Sequence, residues 1–134
     1  MDVATLSRCI MSEAAIGNRI EQIAVGFACF RNRNHASHRN PSPPVVQLAR
    51  DILSGRLSDP TKGANRWYSP VSMPNRMQRS RCRIPFGGGG PTDCNGGLEN
   101  ACGIAQNYRP NWARDSNQII IPGVRSCYFK FYRF

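Results

Sequence analysis

The sequence predicts a single-domain, mainly α fold of the α+β class, in which helices come first, a long irregular loop follows, and a small C-terminal β-hairpin closes the chain. Three observations predict it. Apolar residues recur at helical spacing as far as Leu53. Residues 71–111 contain four consecutive glycines, Gly87 to Gly90, and three of the six cysteines. From Gln118 onward the apolar pattern shortens to a period of two. A length of 134 residues suits one domain over 1–134, with core enough to bury about two-thirds of the unfolded surface.

The first helix is predicted over 3–15, where Val3, Leu6, Ile10 and Ala14 make one apolar stripe. Glu13 lies three residues after Ile10 and seven after Leu6, on or beside that stripe, so its carboxylate is expected to point toward the interior or a cleft. A second helix over 19–31 carries Ile20, Ile23, Ala24, Phe27 and Ala28 in register. Val25, Cys29 and Phe30 extend its apolar surface almost all the way round, which places it centrally. Gly17-Asn18 reads as the turn between them. Residues 31–44 are polar, basic and closed by proline, hence a loop. Ser42 is placed to cap a third helix with Pro43 at its first position; Val45, Leu48, Ala49, Ile52 and Leu53 form its buried face, and Gly55 stops it. Residues 71–111 read as a long irregular excursion held by disulfides. Gln118 to Ile121, the turn at Pro122-Gly123, and Ser126 to Phe134 read as two strands. Cys127, Phe129 and Phe131 are expected on one face of the second strand, and Tyr128, Lys130 and Tyr132 on the other.

Charge narrows the choice of partners. Lys+Arg 18 against Asp+Glu 8 gives a net charge of +10, and only Lys62 and Lys130 are lysine. An arginine-dominated surface favours phosphate, carboxylate, nucleic acid or an anionic wall polymer. No apolar run approaches the roughly 18 residues of a membrane span, and residues 1–10 show no secretory signal. The six cysteines contain no Cys-x-x-Cys pair, and His35 and His38 have no zinc spacing to Cys29, so no metal or cofactor is expected. Disulfides are expected instead, with fifteen connectivities open.

Three segments in order carry a resemblance. They are Ser12-Glu13-Ala14 with Gln22-Ile23-Ala24-Val25 and Asn32-Arg33; Asp59-Pro60-Thr61 with Gly63-Ala64 and Tyr68-Ser69-Pro70; and Trp112 with the Ile121 to Phe129 hairpin. Together they resemble the cell-wall hydrolase family that includes the catalytic domain of spore-cortex-lytic enzymes. The likeness covers most of 8–70 and 112–129, and its most specific piece is Asp-Pro-Thr-x-Gly-Ala followed by tyrosine. Ser12 stands where the family often has glycine, and Ile16 to Ile20 replace residues that are usually acidic or glycine. The resemblance implies a lysozyme-like fold, cleavage of the peptidoglycan glycan strand, and Glu13 as the catalytic acid.

Such an acid has to be protonated near neutral pH to deliver a proton to the leaving oxygen, and apolar burial favours that form. The expectation is therefore a buried Glu13 beside Ile10 and Ala14. Asp59, Glu21, Asp51, Asp93, Glu99 and Asp115 are the candidates for a second carboxylate, and none stands out. Asp59 fits better as a group that pins its own turn. One acid suffices in a lytic transglycosylase, where the substrate's own 6-hydroxyl attacks. Trp67, Tyr68, Tyr108 and Trp112 are the candidate sugar-stacking residues, with Tyr68 matching the family tyrosine. Thr61, Gly63 and Ala64 are expected as a backbone-rich wall of the same groove. Arg76, Arg79, Arg81 and Arg83 offer partners for peptide-stem carboxylates or teichoic phosphates.

The expected setting is the cell wall or periplasm, reached as a phage endolysin or a tail-associated virion enzyme, with peptidoglycan strands and other virion proteins as the expected partners. Two rival classes remain on the sequence alone: a non-catalytic virion or wall subunit on the same fold, and a basic nucleic-acid-binding module. Against the second, the arginines are not gathered on a helix with base-reading side chains.

Overall fold

A computed structural model describes residues 1–33, 39–73 and 109–134 in full, and the backbone alone at 99–101 and 104–106. Three helices pack together: α1 (Val3–Ala14), α2 (Arg19–Arg31) and α3 (Pro43–Leu53). Each starts and stops for a local reason. Asp2 caps α1 by accepting from the Thr5 N–H at 2.7 Å, and that bond holds its carboxyl below the ordinary aspartate range. Asn18 and Glu21 form a reciprocal capping box at the start of α2. Ser42 occupies the N-cap of α3 with Pro43 after it, although the serine side chain makes no capping bond. At the far end Gly55, at φ +78°, closes α3 in a Schellman motif: its N–H reaches Ile52 O, and the Arg56 N–H reaches Asp51 O.

The core lies between the helices and a three-stranded antiparallel sheet. Helix α2 is the most deeply placed, as its all-round apolar surface predicts, with Ala24, Val25, Ala28 and Cys29 fully buried. Its Gly26 faces Ile52 of α3 and Ile10 of α1, and a Cβ there would sit 2.5 Å and 3.1 Å from their Cδ1 atoms. The Cys9–Cys29 disulfide ties α1 to α2 through the buried core. Cys127 is also disulfide-bonded, and no cysteine among the described residues is free. Cys82, Cys94 and Cys102 lie outside the described residues.

The sheet runs in the order β1 (Arg66–Tyr68), β5 (Lys130–Tyr132), β4 (Gln118–Ile119). Register places Trp67 opposite Phe131 and Phe131 opposite Ile119, one cross-strand row that packs on the helices. Tyr68 and Tyr132 project to the other face, into a second cluster with Trp112 and Ala113. The alternation expected for Phe129, Phe131, Lys130 and Tyr132 is therefore present.

The predicted hairpin is shorter than its apolar pattern. Ile121-Pro122-Gly123-Val124 forms the tight turn, with the Val124 N–H on Ile121 O at 3.1 Å and Gly123 at φ +87°. Residues 126–128 continue as turn rather than strand, held by N–H bonds from Tyr128 and Phe129 to Arg125 O. Cys127 and Tyr128 consequently lie outside the alternation, and Tyr128 packs on the main core instead. The unbroken irregular excursion at 71–111 also needs correction. Pro70–Ser72 form a 3-10 turn, and β2 (Glu99–Ala101) pairs antiparallel with β3 (Ile104–Gln106). The arginines at 76, 79, 81 and 83 fall outside the described residues. No helix among the described residues is long and apolar enough to cross a membrane, and none of their His, Cys, Asp and Glu side chains gather as a metal site.

Candidate active site

A groove of about 300 Å³ opens where the C-terminal turn of α1 meets β1. One wall carries Ser12, Glu13, Ala15 and Ile16; the other carries Trp67, Tyr68, Ser69, Ser72 and Met73, and Arg39 joins the lining. The Ser69 and Ser72 hydroxyls lie 3.0 Å apart in a hydrogen bond. The groove thus brings a carboxylate, a guanidinium, hydroxyls and two aromatic side chains to one cleft.

Glu13 reaches this groove by a route the helical wheel does not foresee. Its position falls on the stripe of Leu6, Ile10 and Ala14, and those three are fully buried. Glu13 itself is exposed, which corrects the expectation of an apolar pocket beside Ile10 and Ala14. It sits in the last turn of a helix that ends at Ala14, and there it joins the lining of the cleft while Ala14 beside it stays in the core. The Ala14 carbonyl accepts from Gln22 Nε2 at 3.1 Å and from the Gly17 N–H at 3.0 Å, so the helix end behind Glu13 is held from two sides.

The Asp59-to-Tyr68 run builds the opposite wall indirectly. Asp59 Oδ1 accepts from the Thr61 N–H at 2.8 Å and the Thr61 hydroxyl at 2.6 Å, while Oδ2 is ion-paired with Arg31. Arg31 also donates to Thr61 Oγ1 at 2.7 Å and to Ala64 O at 3.1 Å. Partial burial draws that guanidinium below its ordinary pKa. The Ala64 N–H returns to Thr61 O at 3.1 Å across Lys62 and Gly63, both at positive φ. Asp59 therefore pins its turn, as anticipated. Thr61 and Ala64, expected as a sugar-contacting wall, are fully buried, and Gly63 packs beneath Arg133 rather than in the groove. Their work is to aim the next residues: the turn feeds straight into β1, where Trp67 and Tyr68 line the cleft.

Tyr68 and Trp67 are largely buried behind the groove surface. Tyr68 stacks on Tyr132 at 6.1 Å and meets the Trp112 edge at 6.1 Å. Trp112 does not line the groove. It packs edge-on against Tyr132 and Phe134, with the Arg66 guanidinium 5.6 Å above its ring, and so buttresses Tyr68 from behind. Tyr108 lies outside the described residues.

The other candidate carboxylates are committed elsewhere. Glu21 is fully buried: Oε1 accepts from the Asn18 N–H at 2.8 Å and Arg125 Nη2 at 2.6 Å, and Oε2 accepts from the Arg125 backbone N–H at 2.9 Å. That hydrogen bond holds the Arg125 guanidinium above its ordinary pKa. Asp51 accepts from Gln47 and Arg56, and Asp115 is paired with Arg109, which it raises. Asp93 and the Glu99 side chain lie outside the described residues. Ser12, Ile16, Arg39, Ser72 and Met73 are lining residues that sequence reasoning missed. Only Arg39 had a signal, as part of a basic loop. Comparison with family models, curated proteins and solved structures finds no match for this chain.

Proposed function

We propose that this protein cleaves the glycan strand of peptidoglycan on a lysozyme-like fold, as a lytic transglycosylase or muramidase, with Glu13 as the general acid and base. One juxtaposition carries the reading: Glu13 faces Trp67 and Tyr68 across a groove whose size is at the lower end of ligand clefts, roughly 300–1,000 Å³. A sugar lodged there displaces water from the carboxyl and sets it among Ile16, Trp67 and Met73.

Among the described residues Glu13 is the sole carboxylate of the groove, which favours the one-acid route. Glu13 gives its proton to the glycosidic oxygen as the bond to C1 breaks. The carboxylate so formed takes the proton from the muramyl 6-hydroxyl as that oxygen bonds to C1, and the product ends in a 1,6-anhydro ring. The Cys9–Cys29 disulfide supports a working place outside a reducing cytosol, as the wall or periplasm is. Delivery as a phage endolysin or a virion-associated enzyme fits that setting.

The test is digestion of purified sacculi with mass spectrometry of the fragments. Wild type is expected to release muropeptides with anhydro ends, and reducing ends would assign the muramidase route instead. Glu13→Gln is expected to lower release by about 10²–10⁴-fold, with folding intact because the side chain is exposed. Equal digestion by the variant removes Glu13 from the chemistry. No digestion by wild type leaves the non-catalytic subunit, or the nucleic-acid module, as the better reading.

A further inference from the structure

A neutral pyranose is satisfied by hydroxyl and aromatic partners, and the groove lining supplies both in Ser12, Ser69, Ser72, Trp67 and Tyr68. Arg39 adds what no neutral sugar needs: a planar, permanently charged donor fork that matches a carboxylate. It is the cation of the groove among the described residues, and it comes from the loop before α3 rather than from either wall. Arg39 takes no part in the ion pairs made by Arg31, Arg56, Arg109 and Arg125. Glu13 is the one carboxylate on the lining among the described residues, and one acid does not account for both a proton donor and a cation's counter-charge.

We propose that Arg39 is a specificity-determining residue that pairs with a carboxylate on the 3-O-lactyl arm, or the attached peptide stem, of a muramyl residue. The groove then selects muramyl glycan over neutral N-acetylglucosamine polymers. The inference rests on the glycan-cleaving reading and deepens it, because it names the substituent that the site recognises. The net charge of +10 adds long-range attraction toward the same anionic polymer.

The experiment measures binding rather than turnover, with Glu13→Gln as a silenced background and soluble, peptide-free glycan strands as the probe. The same strands with their lactyl carboxylates converted to methylamides serve as the neutral match. Arg39 is expected to favour the carboxylate form about tenfold, the scale of one charge-assisted pair. Adding Arg39→Gln is expected to abolish that preference while leaving affinity for the amide form unchanged. Strands carrying the intact peptide stem distinguish the lactyl acid from the stem acids, and both outcomes support the proposal. Equal weakening of both forms by Arg39→Gln overturns it, since the residue then only shapes the loop. So does a preference for glycerol-phosphate polymer over both glycans. Tight binding that ignores the carboxylate overturns this inference alone, whereas no binding to any glycan overturns the cleavage reading with it.

Discussion

Replacing Gly26 by alanine sets two effects of known sign against each other in the middle of α2. In a helix interior the exchange gains about 1 kcal/mol of helix propensity. Here the new methyl would lie 2.5 Å from Ile52 Cδ1 and 3.1 Å from Ile10 Cδ1, well inside van der Waals contact. Ile10 is fully buried and Ile52 nearly so, which leaves little room for either to turn aside. Overpacking of this kind costs about 1–3 kcal/mol, so Gly26→Ala is expected to lose about 1 kcal/mol net. Ile52→Val removes the offending Cδ1 and by itself costs about 1 kcal/mol. In the double variant the clash with Ile52 is gone and the propensity gain remains, so its stability is expected to return to near wild type. The coupling between the two sites is then about 1–2 kcal/mol. Urea unfolding followed by far-ultraviolet circular dichroism, with the disulfides intact, measures all four proteins. Stabilisation by Gly26→Ala alone, or strict additivity of the pair, would refute the close three-helix contact.

Other perturbations probe different parts of the fold. Arg125→Ala strands a fully buried Glu21 with only the Asn18 and residue-125 backbone N–H groups as donors, and is expected to cost about 3 kcal/mol in the same unfolding assay; a loss under 1 kcal/mol would show that the pair is ornamental. Removing the Cys9–Cys29 bridge as a double alanine variant releases a 20-residue separation and is expected to cost about 3 kcal/mol by loop entropy, seen as a lower urea midpoint. Asp2 has its folded pKa lowered by the Thr5 N–H bond, so its contribution is present above the unfolded carboxylate range and is lost as pH falls through the folded value. Wild type should therefore shed stability on acidification that Asp2→Ala does not, and parallel pH profiles would contradict the cap.

The helices were legible because each is written in local terms: apolar spacing, Pro43 at an entry, Gly55 at an exit. The Asn18-x-x-Glu21 box passed unread: Gly17-Asn18 reads only as a turn, and the buried partner of Glu21, Arg125, lies 104 residues later. Glu13 shows the converse limit. A wheel assigns a residue to a side of a helix, yet exposure in the last turn depends on what is stacked beyond the helix end. The Asp59-to-Ala64 motif was recognisable as a unit, while its job of burying Thr61 beneath Arg31 depended on a partner 30 residues away. Hairpin length was overestimated because apolar alternation does not mark where pairing stops: Ile121 is buried from within a turn, and Tyr128 reaches the core from the turn held on Arg125 O.

The central position of β5 has a temporal consequence. The described pairing partner of β1 is β5, joined to it across more than sixty intervening residues, so the aromatic wall of the groove has no template while the chain is still emerging from a ribosome. The helical wall, with Glu13 on it, draws on α1, α2 and the disulfide between them, all within the first 31 residues. A nascent or truncated chain ending before Lys130 would hold its carboxyl on a formed helix with nothing facing it, a state unable to grip a polymer however well its first half had folded.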